Sequence, residues 1–552
     1  QNWLKPFFRL MCWTVTTRSG APHQLEGDVA SFAALLGRLA ARDGGLSDEE
    51  AAAAELFDWT APLHVARSPG RLDVMGGIAD YSGSRVLQMP IGEACLVAAQ
   101  RQPASAGVRA ASLGSAAGGR TSVVHVALSE LAGPAGPVPL AELRARLTSD
   151  GRAAWAAYVI GCLGVLYHDG AVSPADGGLA ILVASDVPEA AGVSSSAAVE
   201  VASMSAMLAA LGKPPLSPDE KLALLCQKVE NEVVGAPCGE RRRGTATTSL
   251  RATLPSLSLS LSCRYHGPAC VCARPRGHPP LPPLPPCDTP RHRPHPAPPA
   301  RVGHRLGGAP PPGWRGGRQT PPFTPLFTSS LPRQVRHSVG GSDYGAVRTA
   351  AFMGRAMLQA SLGEGRVLTH LTELTPEELA ALPPLPTSLS GSAFLQQHPA
   401  GHGDAATTVR PDAEYAVAAC AAHPVLEHAR VCEFEALLRG PPSEQQRLLL
   451  GKLMRGSHES YSRVGLGSAA TDRIVELVAA APPSARLYGA KITGGGSGGT
   501  VCVLGEASDE AQAAIDAVLD EYASETGRRP YVVSGSSAGA VAFGHVELRC
   551  SP

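Results

Sequence analysis

Three consecutive serines follow a glycine in the segment from Ser185 to Met204, which reads SDVPEAAGVSSSAAVEVASM. The apolar run before it, from Leu179 to Ala184, predicts a strand, and the helical spacing of small residues from Ala197 predicts a helix. Serines in the first turn of a helix bring backbone amides, hydroxyls and the positive end of the helix dipole together, which suits a phosphate. An ordinary serine-capped helix is the alternative. A Walker A loop is excluded, because no Gly-Lys-Ser/Thr follows the glycine.

Two other stretches combine glycines with groups that could contact a ligand. The first runs from Arg67 to Gly83 and reads RSPGRLDVMGGIADYSG, and the second runs from Lys491 to Leu504 and reads KITGGGSGGTVCVL. Glycines let a backbone approach a ligand closely, and Arg71 supplies a positive charge in the first stretch. A polar turn and a glycine hairpin are the alternative interpretations of these two stretches.

In this order, the three stretches resemble the three signature motifs of the GHMP small-molecule kinases, the superfamily that includes galactokinase and mevalonate kinase. The resemblance implies an α+β, two-domain fold. Its N-terminal α/β domain carries the phosphate loop, and its C-terminal domain is ferredoxin-like. It also implies ATP and Mg²⁺ as cofactors and a small-molecule sugar as substrate.

The resemblance also assigns roles to individual residues. Arg71 would lie near the transferred phosphate as the catalytic residue, and Asp80, Gly77 and Tyr344 would bind the sugar. The residues that would bind ATP are Gly192, Val193, Ser194, Ser195, Ser196 and Ala197. The loop that would support the nucleotide site consists of Gly494, Gly495, Gly496, Ser497 and Gly498.

The implied metal ligands are Ser196 and Glu230, since Mg²⁺ prefers hard oxygen ligands and takes few of them from the protein. Glu230 falls in the helical pattern from Lys221 to Val233, where a solvated surface charge is the alternative. Ala190 stands where the family usually has glycine, and it would restrict the backbone of the phosphate loop.

One departure from the galactokinase pattern bears on the sugar. Galactokinases carry Glu-His where this chain has Gly77-Ile78, and that polar pair faces the exocyclic hydroxymethyl group of the hexose. Without it, that hydroxyl would lack a partner, which costs about 1–3 kcal/mol. L-arabinose lacks the group. The stretches 236–239, 335–345 and 530–539 are likewise similar to those of plant-type L-arabinokinases, so we expect a sugar 1-kinase for L-arabinose. Galactokinase or another sugar 1-kinase is the alternative.

The expected catalytic aspartate is missing. In the family, the stretch matching Ala236 to Gly239 continues into Val-Met-Asp-Gln, and the aspartate position falls here on Arg242. Neither Glu240 nor Asp288 has a context that suggests a substitute base. We therefore expect impaired turnover, and a non-catalytic sugar- and ATP-binding protein is a further alternative.

Composition sets residues 240–334 apart. This stretch holds 21 of the 49 prolines and 14 arginines but only 2 acidic residues, which predicts a disordered or polyproline-like insert. It is either a translated gene-model artefact or a proline-rich docking loop. The rest of the chain holds 34 basic and 46 acidic residues, which argues against nucleic acid as a partner.

We divide the 552 residues into a partly disordered lead-in (1–55), an N-terminal kinase domain (56–239), the insert (240–334) and the remainder with the C-terminal domain (335–552). The chain begins with Gln1 rather than methionine, so we expect a fragment. No apolar run approaches the length of a membrane span, and the 13 scattered cysteines are typical of a reduced, cytoplasmic protein.

Overall fold

The computed structural model describes residues 13–17, 24–42, 45–115, 118–217, 219–235, 250–254, 257–263, 326–329, 342–363 and 365–550. The helices are α1 (Gly27–Ala41), α2 (Asp48–Ala54), α3 (Leu140–Thr148), α4 (Ala156–Asp169), α5 (Ser195–Ala210), α6 (Asp219–Lys228), α7 (Ser342–Leu362), α8 (Pro376–Ala381), α9 (Gly391–Gln397), α10 (Val417–Arg439), α11 (Glu444–Arg463), α12 (Ala469–Ala480), α13 (Asp509–Thr526) and α14 (Ala540–Phe543).

The strands form one large sheet, one sheet of four strands and two short pairs. They are β1 (Trp13–Thr17), β2 (Leu63–Met75), β3 (Arg85–Gln102), β4 (Val108–Ser112), β5 (Val123–Val126), β6 (Ala132–Gly133), β7 (Gly136–Pro137), β8 (Gly178–Ser185), β9 (Leu250–Leu254), β10 (Leu257–Cys263), β11 (Leu326–Ser329), β12 (Leu389–Ser390), β13 (Glu414–Tyr415), β14 (Leu487–Ile492), β15 (Thr500–Gly505), β16 (Tyr531–Ser534) and β17 (His545–Cys550).

The large sheet runs in the order β1-β17-β2-β3-β8-β4-β5, and β10 pairs with β3. Neighbouring strands are antiparallel except β4 and β8, which are parallel. Successive residues of a strand point to opposite faces, so Val65 packs beneath α1 and α2 while Ala66 packs on the side of α5. Because both faces are covered, β2 is an almost uninterrupted buried strand.

The second sheet is antiparallel, in the order β14-β15-β11-β16. The helices α12 and α13 cover one face with a separate apolar core, whose members include Ile474, Val478, Ile515, Leu519 and Val501. A third core joins α7 and α10 to Tyr81 of the first motif region. The predicted two-domain α+β architecture is confirmed.

The ends of the chain complete the large sheet. β17 lies between β1 and β2, and β1 pairs with it over the full length Trp13–Thr17. Arg67 in β2 binds Asp28 of α1 at 2.7 Å and Ser537 of the C-terminal tail at 3.1 Å. The described part of the expected lead-in is therefore integrated into the first domain, because its apolar side chains cover one face of the sheet.

Most of the predicted elements are present, with three corrections. The sequence pattern predicts two strands, Val86–Met89 and Ala94–Ala99, but these residues form one strand, β3, because Pro90 lies at a register shift that the ladder tolerates. The pattern also predicts a separate helix at Phe434–Leu438, but these residues are the end of the 23-residue α10, which contains Pro424. The predicted helix from Lys221 ends as a π-helix, Val229–Val234, which carries Glu230.

The expected disorder of residues 240–334 concerns positions that are mostly outside the described part. Within that range, the structure describes only the backbone of β9, β10 and β11. β10 pairs with β3 and β9, and β11 lies between β15 and β16. None of the described helices combines the length and the apolarity needed to span a bilayer.

Helix α10 contacts the turn at Gly76 and Gly77 through two of its side chains. The buried carboxylate of Glu427 accepts hydrogen bonds from the Gly76 amide at 3.1 Å and from Ser457 at 2.6 Å. His423, one turn earlier, lies with Nε2 3.4 Å from the Gly77 carbonyl oxygen. The conformation of this turn therefore depends on residues about 350 positions away.

Two histidines of α10, the buried His423 and the half-buried His428, lead us to expect a loss of stability in mild acid. Burial lowers the pKa of His423 to about 4 against the opposing charge of Glu427, and burial, aided by Arg85, lowers the pKa of His428 to about 4. Between pH 6.5 and 5.5 the unfolded chain therefore binds protons that the folded chain does not. The free energy of unfolding should fall by about 1 kcal/mol per pH unit for each of these histidines.

Urea denaturation over this pH range checks the prediction, because most unfolded-state carboxyl groups stay ionised there. The variant His428→Gln should reduce the slope of stability against pH, whereas His168→Gln, at an exposed position, should leave the slope unchanged. Identical slopes in the wild type and His428→Gln would contradict the assignment.

Candidate active site

The expected phosphate loop, residues 192–196, contains two residues with a left-handed backbone conformation. Gly192 has φ +76° and Ser194 has φ +60°, and α5 begins at Ser195. The first helical hydrogen bond is donated by Ala198 to the Ser194 carbonyl oxygen, so the amides before it have no carbonyl partner in their own helix. Ala190, where glycine was expected, has φ +56°, a conformation that costs about 1 kcal/mol for a side chain with a Cβ.

The two predicted metal ligands are neighbours. Ser196 Oγ donates a hydrogen bond of 2.9 Å to Glu230 Oε1, although the residues are 34 positions apart. Glu230 is buried in the π-helix, which turns its side chain toward the start of α5. A hydroxyl and a carboxylate are hard oxygen donors of the kind that Mg²⁺ takes, so this pair fits the metal that the family implies.

Glu200 is a neighbouring carboxyl group that the sequence interpretation missed. It lies one turn after Ser196 on α5 and is fully buried, and neither oxygen has a hydrogen-bond partner among the described residues. Burial raises its pKa well above the usual range, and the charge of Glu230 adds to the effect. Burial therefore favours the neutral form of the Glu200 carboxyl group.

The first motif is hydrogen-bonded directly to the phosphate loop. The amide of Arg71 donates to the Val193 carbonyl oxygen at 2.9 Å, and Arg71 Nη1 lies 3.5 Å from the Gly192 carbonyl oxygen. A Cβ on Gly70 would lie 2.9 Å from the same Val193 oxygen, so only glycine allows this approach. The guanidinium group of Arg71 is thereby held beside the expected phosphate site.

Asp73 fixes the position of Arg71, and the sequence interpretation missed it. Its Oδ2 lies 3.1 Å from Arg71 Nη1, and its Oδ1 accepts a hydrogen bond of 2.7 Å from Gln88. Asp73 is fully buried and follows Arg71 by two residues in β2. Residues at this spacing on a strand share one face, and that was the available signal.

The predicted sugar-side residues meet around Tyr81. Asp80 is buried in the short 3₁₀ turn Asp80–Ser82. The ring of Tyr81 packs edge-on against the ring of Tyr344, with the two ring centres 6.2 Å apart. Arg348, one turn after Tyr344 on α7, binds Asp404 at 2.8 Å. Although burial opposes its charge, the pKa of Arg348 is raised by the Asp404 hydrogen bonds and in part by Asp80.

The glycine-rich loop closes over the phosphate loop. A Cβ on Gly494 would lie 2.6 Å from the Gly192 carbonyl oxygen, and Thr500 Oγ1 donates to the Ala191 carbonyl oxygen at 2.7 Å. Thr493 Oγ1 donates to the Asp73 carbonyl oxygen at 2.8 Å and accepts from its amide at 3.1 Å. The three motifs therefore meet in one place.

Several residues considered from the sequence lie outside the described part of the chain. They are Arg242, which occupies the expected base position, together with Glu240 and Asp288. In the described part, no group of three or more His, Cys, Asp or Glu side chains could hold a metal ion. The roles assigned to the individual site residues stay predictions.

Three family models match the chain. Residues 157–240 match the GHMP kinases N terminal domain, residues 434–525 match the GHMP kinases C terminal domain, and residues 54–101 match the galactokinase galactose-binding signature. The first match contains the serine loop and Glu230, the second contains the glycine-rich loop, and the third contains Arg71 and Asp80.

Individual relatives agree with these matches. An L-arabinokinase of Arabidopsis thaliana is 36% identical over 91% of this chain and 48% of its own length. A galactokinase of Chloroflexus aurantiacus is 26% identical over 87% of this chain and 93% of its own. The structure of Lactococcus lactis galactokinase complexed with galactose superimposes with a TM-score of 0.56 and 18% identity, covering 88% of this chain and 96% of that one.

The chain spans about half the length of the L-arabinokinase that it matches. The similarity to the solved galactokinase concerns the fold, since the sequence identity is low. The matches occur in the order galactose-binding signature, N-terminal domain, C-terminal domain. The chain therefore combines the N-terminal and C-terminal domains of GHMP kinases with a galactokinase galactose-binding signature.

Proposed function

We propose that this chain is an ATP-dependent sugar 1-kinase whose substrate is L-arabinose. The observation that carries the proposal is the position of Arg71, whose guanidinium group lies at the carbonyl of Gly192 in the phosphate loop. The same strand then leads to Asp80, the predicted sugar ligand. One short segment thus links the expected phosphate and sugar sites. Similarity to the L-arabinokinase supports the choice of reaction.

In the proposed reaction, the anomeric oxygen of the sugar attacks the γ-phosphorus of ATP, the bond to the β,γ-bridging oxygen breaks, and ADP leaves. The amides and hydroxyls at the start of α5 would bind the triphosphate. Arg71 would stabilise the charge that develops on the transferred group, and Asp80 with Tyr344 would orient the sugar. Such catalysis consists mainly of positioning and electrostatic stabilisation.

Ser196 and Glu230 would hold Mg²⁺, which neutralises phosphate charge when bound. The raised pKa of Glu200, caused first by burial, favours a neutral carboxyl group beside this pair. Asp73 would keep the Arg71 guanidinium turned toward the phosphate loop throughout the reaction. These tasks use side chains that the fold already holds in place, so little reorganisation is needed.

The preference for L-arabinose rests on Gly77-Ile78. Neither residue can donate a side-chain hydrogen bond to an exocyclic hydroxymethyl group, and Ile78 is fully buried in an apolar core. Galactose would therefore bury an unpaired hydroxyl, which costs about 1–3 kcal/mol. The galactokinase signature at residues 54–101 favours the alternative, a galactose 1-kinase.

We propose that turnover is weak because the proton of the attacking hydroxyl lacks the expected aspartate acceptor at position 242. A sugar- and ATP-binding protein without turnover is the corresponding non-catalytic alternative. We also propose a cytoplasmic location, without nucleic acid or membrane as a partner. Its support is that Cys95, Cys162, Cys420 and Cys502 are free thiols, as expected in a reducing compartment.

A substrate comparison tests the proposed function. L-arabinose, galactose and galacturonate are offered with Mg²⁺-ATP, and sugar 1-phosphate formation is measured beside calorimetric sugar binding. We expect slow phosphorylation of L-arabinose and binding about 5- to 150-fold tighter than that of galactose, the range that corresponds to about 1–3 kcal/mol for one unpaired buried hydroxyl. A preference for galactose supports the galactokinase alternative. Binding without any turnover supports the non-catalytic one.

Removal of the predicted metal ligand Glu230 should weaken ATP binding only when Mg²⁺ is present. We expect Glu230→Gln to raise the dissociation constant for ATP about tenfold in Mg²⁺, as for the loss of one charge-assisted contact. Its affinity in EDTA should equal that of the wild type. Calorimetric titration measures both. Glu232→Gln, in the same π-helix, is the matched control, and equal weakening in EDTA would refute the metal assignment.

Substitution of Asp73 should lower the rate of phosphoryl transfer with little effect on sugar binding. Asp73→Asn keeps the shape of the side chain but removes the charge that holds Arg71, and misplacing a catalytic group by about 1 Å can cost about 100-fold in rate. We expect kcat to fall while the KM for the sugar changes little. Asp28→Asn, which removes the partner of Arg67 in the same strand, is the control. A change in sugar KM alone would argue against this role.

A further inference from the structure

The backbone conformation at position 77 does not explain why this residue is a glycine. Gly76 has φ +89° and Ile78 has φ +53°, both in the left-handed range. The φ of Gly77 lies outside that range, so any residue could adopt its backbone conformation. The constraint on this position must therefore come from a neighbour.

That neighbour is Tyr461 of α11. A Cβ on Gly77 would lie 2.0 Å from Tyr461 Oη and 3.3 Å from Tyr461 Cζ, far closer than atoms can approach. A side chain at position 77 is thus incompatible with the hydroxyl of Tyr461. The two residues are 384 positions apart, so no local sequence pattern connects them.

Tyr461 cannot easily move away. Its Oη donates a hydrogen bond of 3.0 Å to the Gly494 carbonyl oxygen, and its ring contacts His423 edge-on at 5.5 Å. Lys491 Nζ lies 5.0 Å from the ring centre, and Tyr461 Cδ1 is 3.2 Å from where a Cβ on Gly496 would be. The side chain is fully buried. Contacts on every side therefore fix its position.

Tyr461 also lies among the groups expected to handle the substrate. Burial raises its pKa well above the usual range, the charges of Asp73 and Glu427 and the phenol of Tyr344 act in the same sense, and Arg71 acts against them. Tyr461 is therefore a neutral hydrogen-bond donor. It connects the turn at Gly77 on the sugar side with the glycine-rich loop on the phosphate side.

We propose that Tyr461 is a specificity-determining residue that selects a pentose over a hexose. The inference rests on the proposed function. By occupying the volume beside Gly77, Tyr461 excludes the polar side chain that galactokinases place there. An exocyclic hydroxymethyl group then has no side-chain partner at this position. The glycine at position 77 and the tyrosine at position 461 form one steric unit.

The steric unit is tested first by stability, which does not depend on activity. Gly77→Ala should unfold at clearly lower urea concentration than the wild type, because its Cβ collides with the tyrosine hydroxyl. Tyr461→Phe removes that hydroxyl and leaves contacts of 3.3 Å to Cζ and to the Gly494 carbonyl oxygen, which shifts of a few tenths of an ångström would relieve. We expect Gly77→Ala to cost much less in the Tyr461→Phe background than in the wild type. Equal costs in the two backgrounds would overturn the proposal.

Two controls show whether the rescue is specific. Gly76→Ala is strained by its positive φ, and its Cβ would lie 2.4 Å from the Arg85 carbonyl oxygen, so Tyr461→Phe should not rescue it. Tyr488→Phe removes another tyrosine hydroxyl, which donates to Glu444 at 3.1 Å, and should not relieve Gly77→Ala. Rescue by Tyr488→Phe would mean a general effect and would overturn the proposal.

Selectivity is tested by calorimetric binding of L-arabinose and galactose in the presence of ADP and Mg²⁺. The ratio of galactose to arabinose affinity should rise about tenfold in Tyr461→Leu with Gly77→Glu, since room and a polar partner return together. Tyr461→Phe alone should change it little. An unchanged ratio in the double variant, with arabinose still bound, overturns the inference and leaves the proposed function intact. If the wild type binds neither sugar, the proposed function is overturned, and with it the selection of a pentose by Tyr461. The stability comparison would still show whether Gly77 and Tyr461 form a steric unit.

Discussion

The close backbone contact between the phosphate loop and the glycine-rich loop is the constraint on which the site depends. Gly494 approaches Gly192 so closely that a Cβ would meet its carbonyl oxygen at 2.6 Å, and Gly499 approaches Ala191 in the same way at 2.7 Å. Thr493 extends the contact to Asp73 in the first motif. Direct backbone contacts and the Thr493 hydrogen bond thus hold three distant segments of the chain together.

The protein interior near these segments contains several charged side chains, including Glu427 and Lys491. Glu427 is fully buried, and although burial opposes its ionisation, His423, Lys491 and Arg430 keep its pKa lowered. Burial lowers the pKa of Lys491, whose Nζ donates to the Ile492 carbonyl oxygen at 2.7 Å. Buried charges are costly unless they are paired and hydrogen-bonded. In this chain the pairing joins the two domains, since Glu427 bonds Gly76 of the first motif.

The fold was largely predictable because its signals are local. The helical spacing from Ala197 predicted a helix, and α5 begins within two residues of that position. The continuity of β3 and the proline-containing helix α10 were not predictable, because a proline ordinarily ends such elements. Both persist because the surrounding structure buries them, and no local pattern reports this burial.

By itself, the sequence determined the three motifs, their order and the residue types that could bind a phosphate and a sugar. It also showed that Arg242 occupies the expected position of the base. Only the tertiary structure decided which side chains act through these motifs. Asp73 holding Arg71, the raised pKa of buried Glu200 near Glu230, and Tyr461 excluding a side chain at Gly77 are long-range or burial effects. Such effects depend on distances of a few ångströms between residues far apart in the chain, and these distances exist only after the domains have packed together.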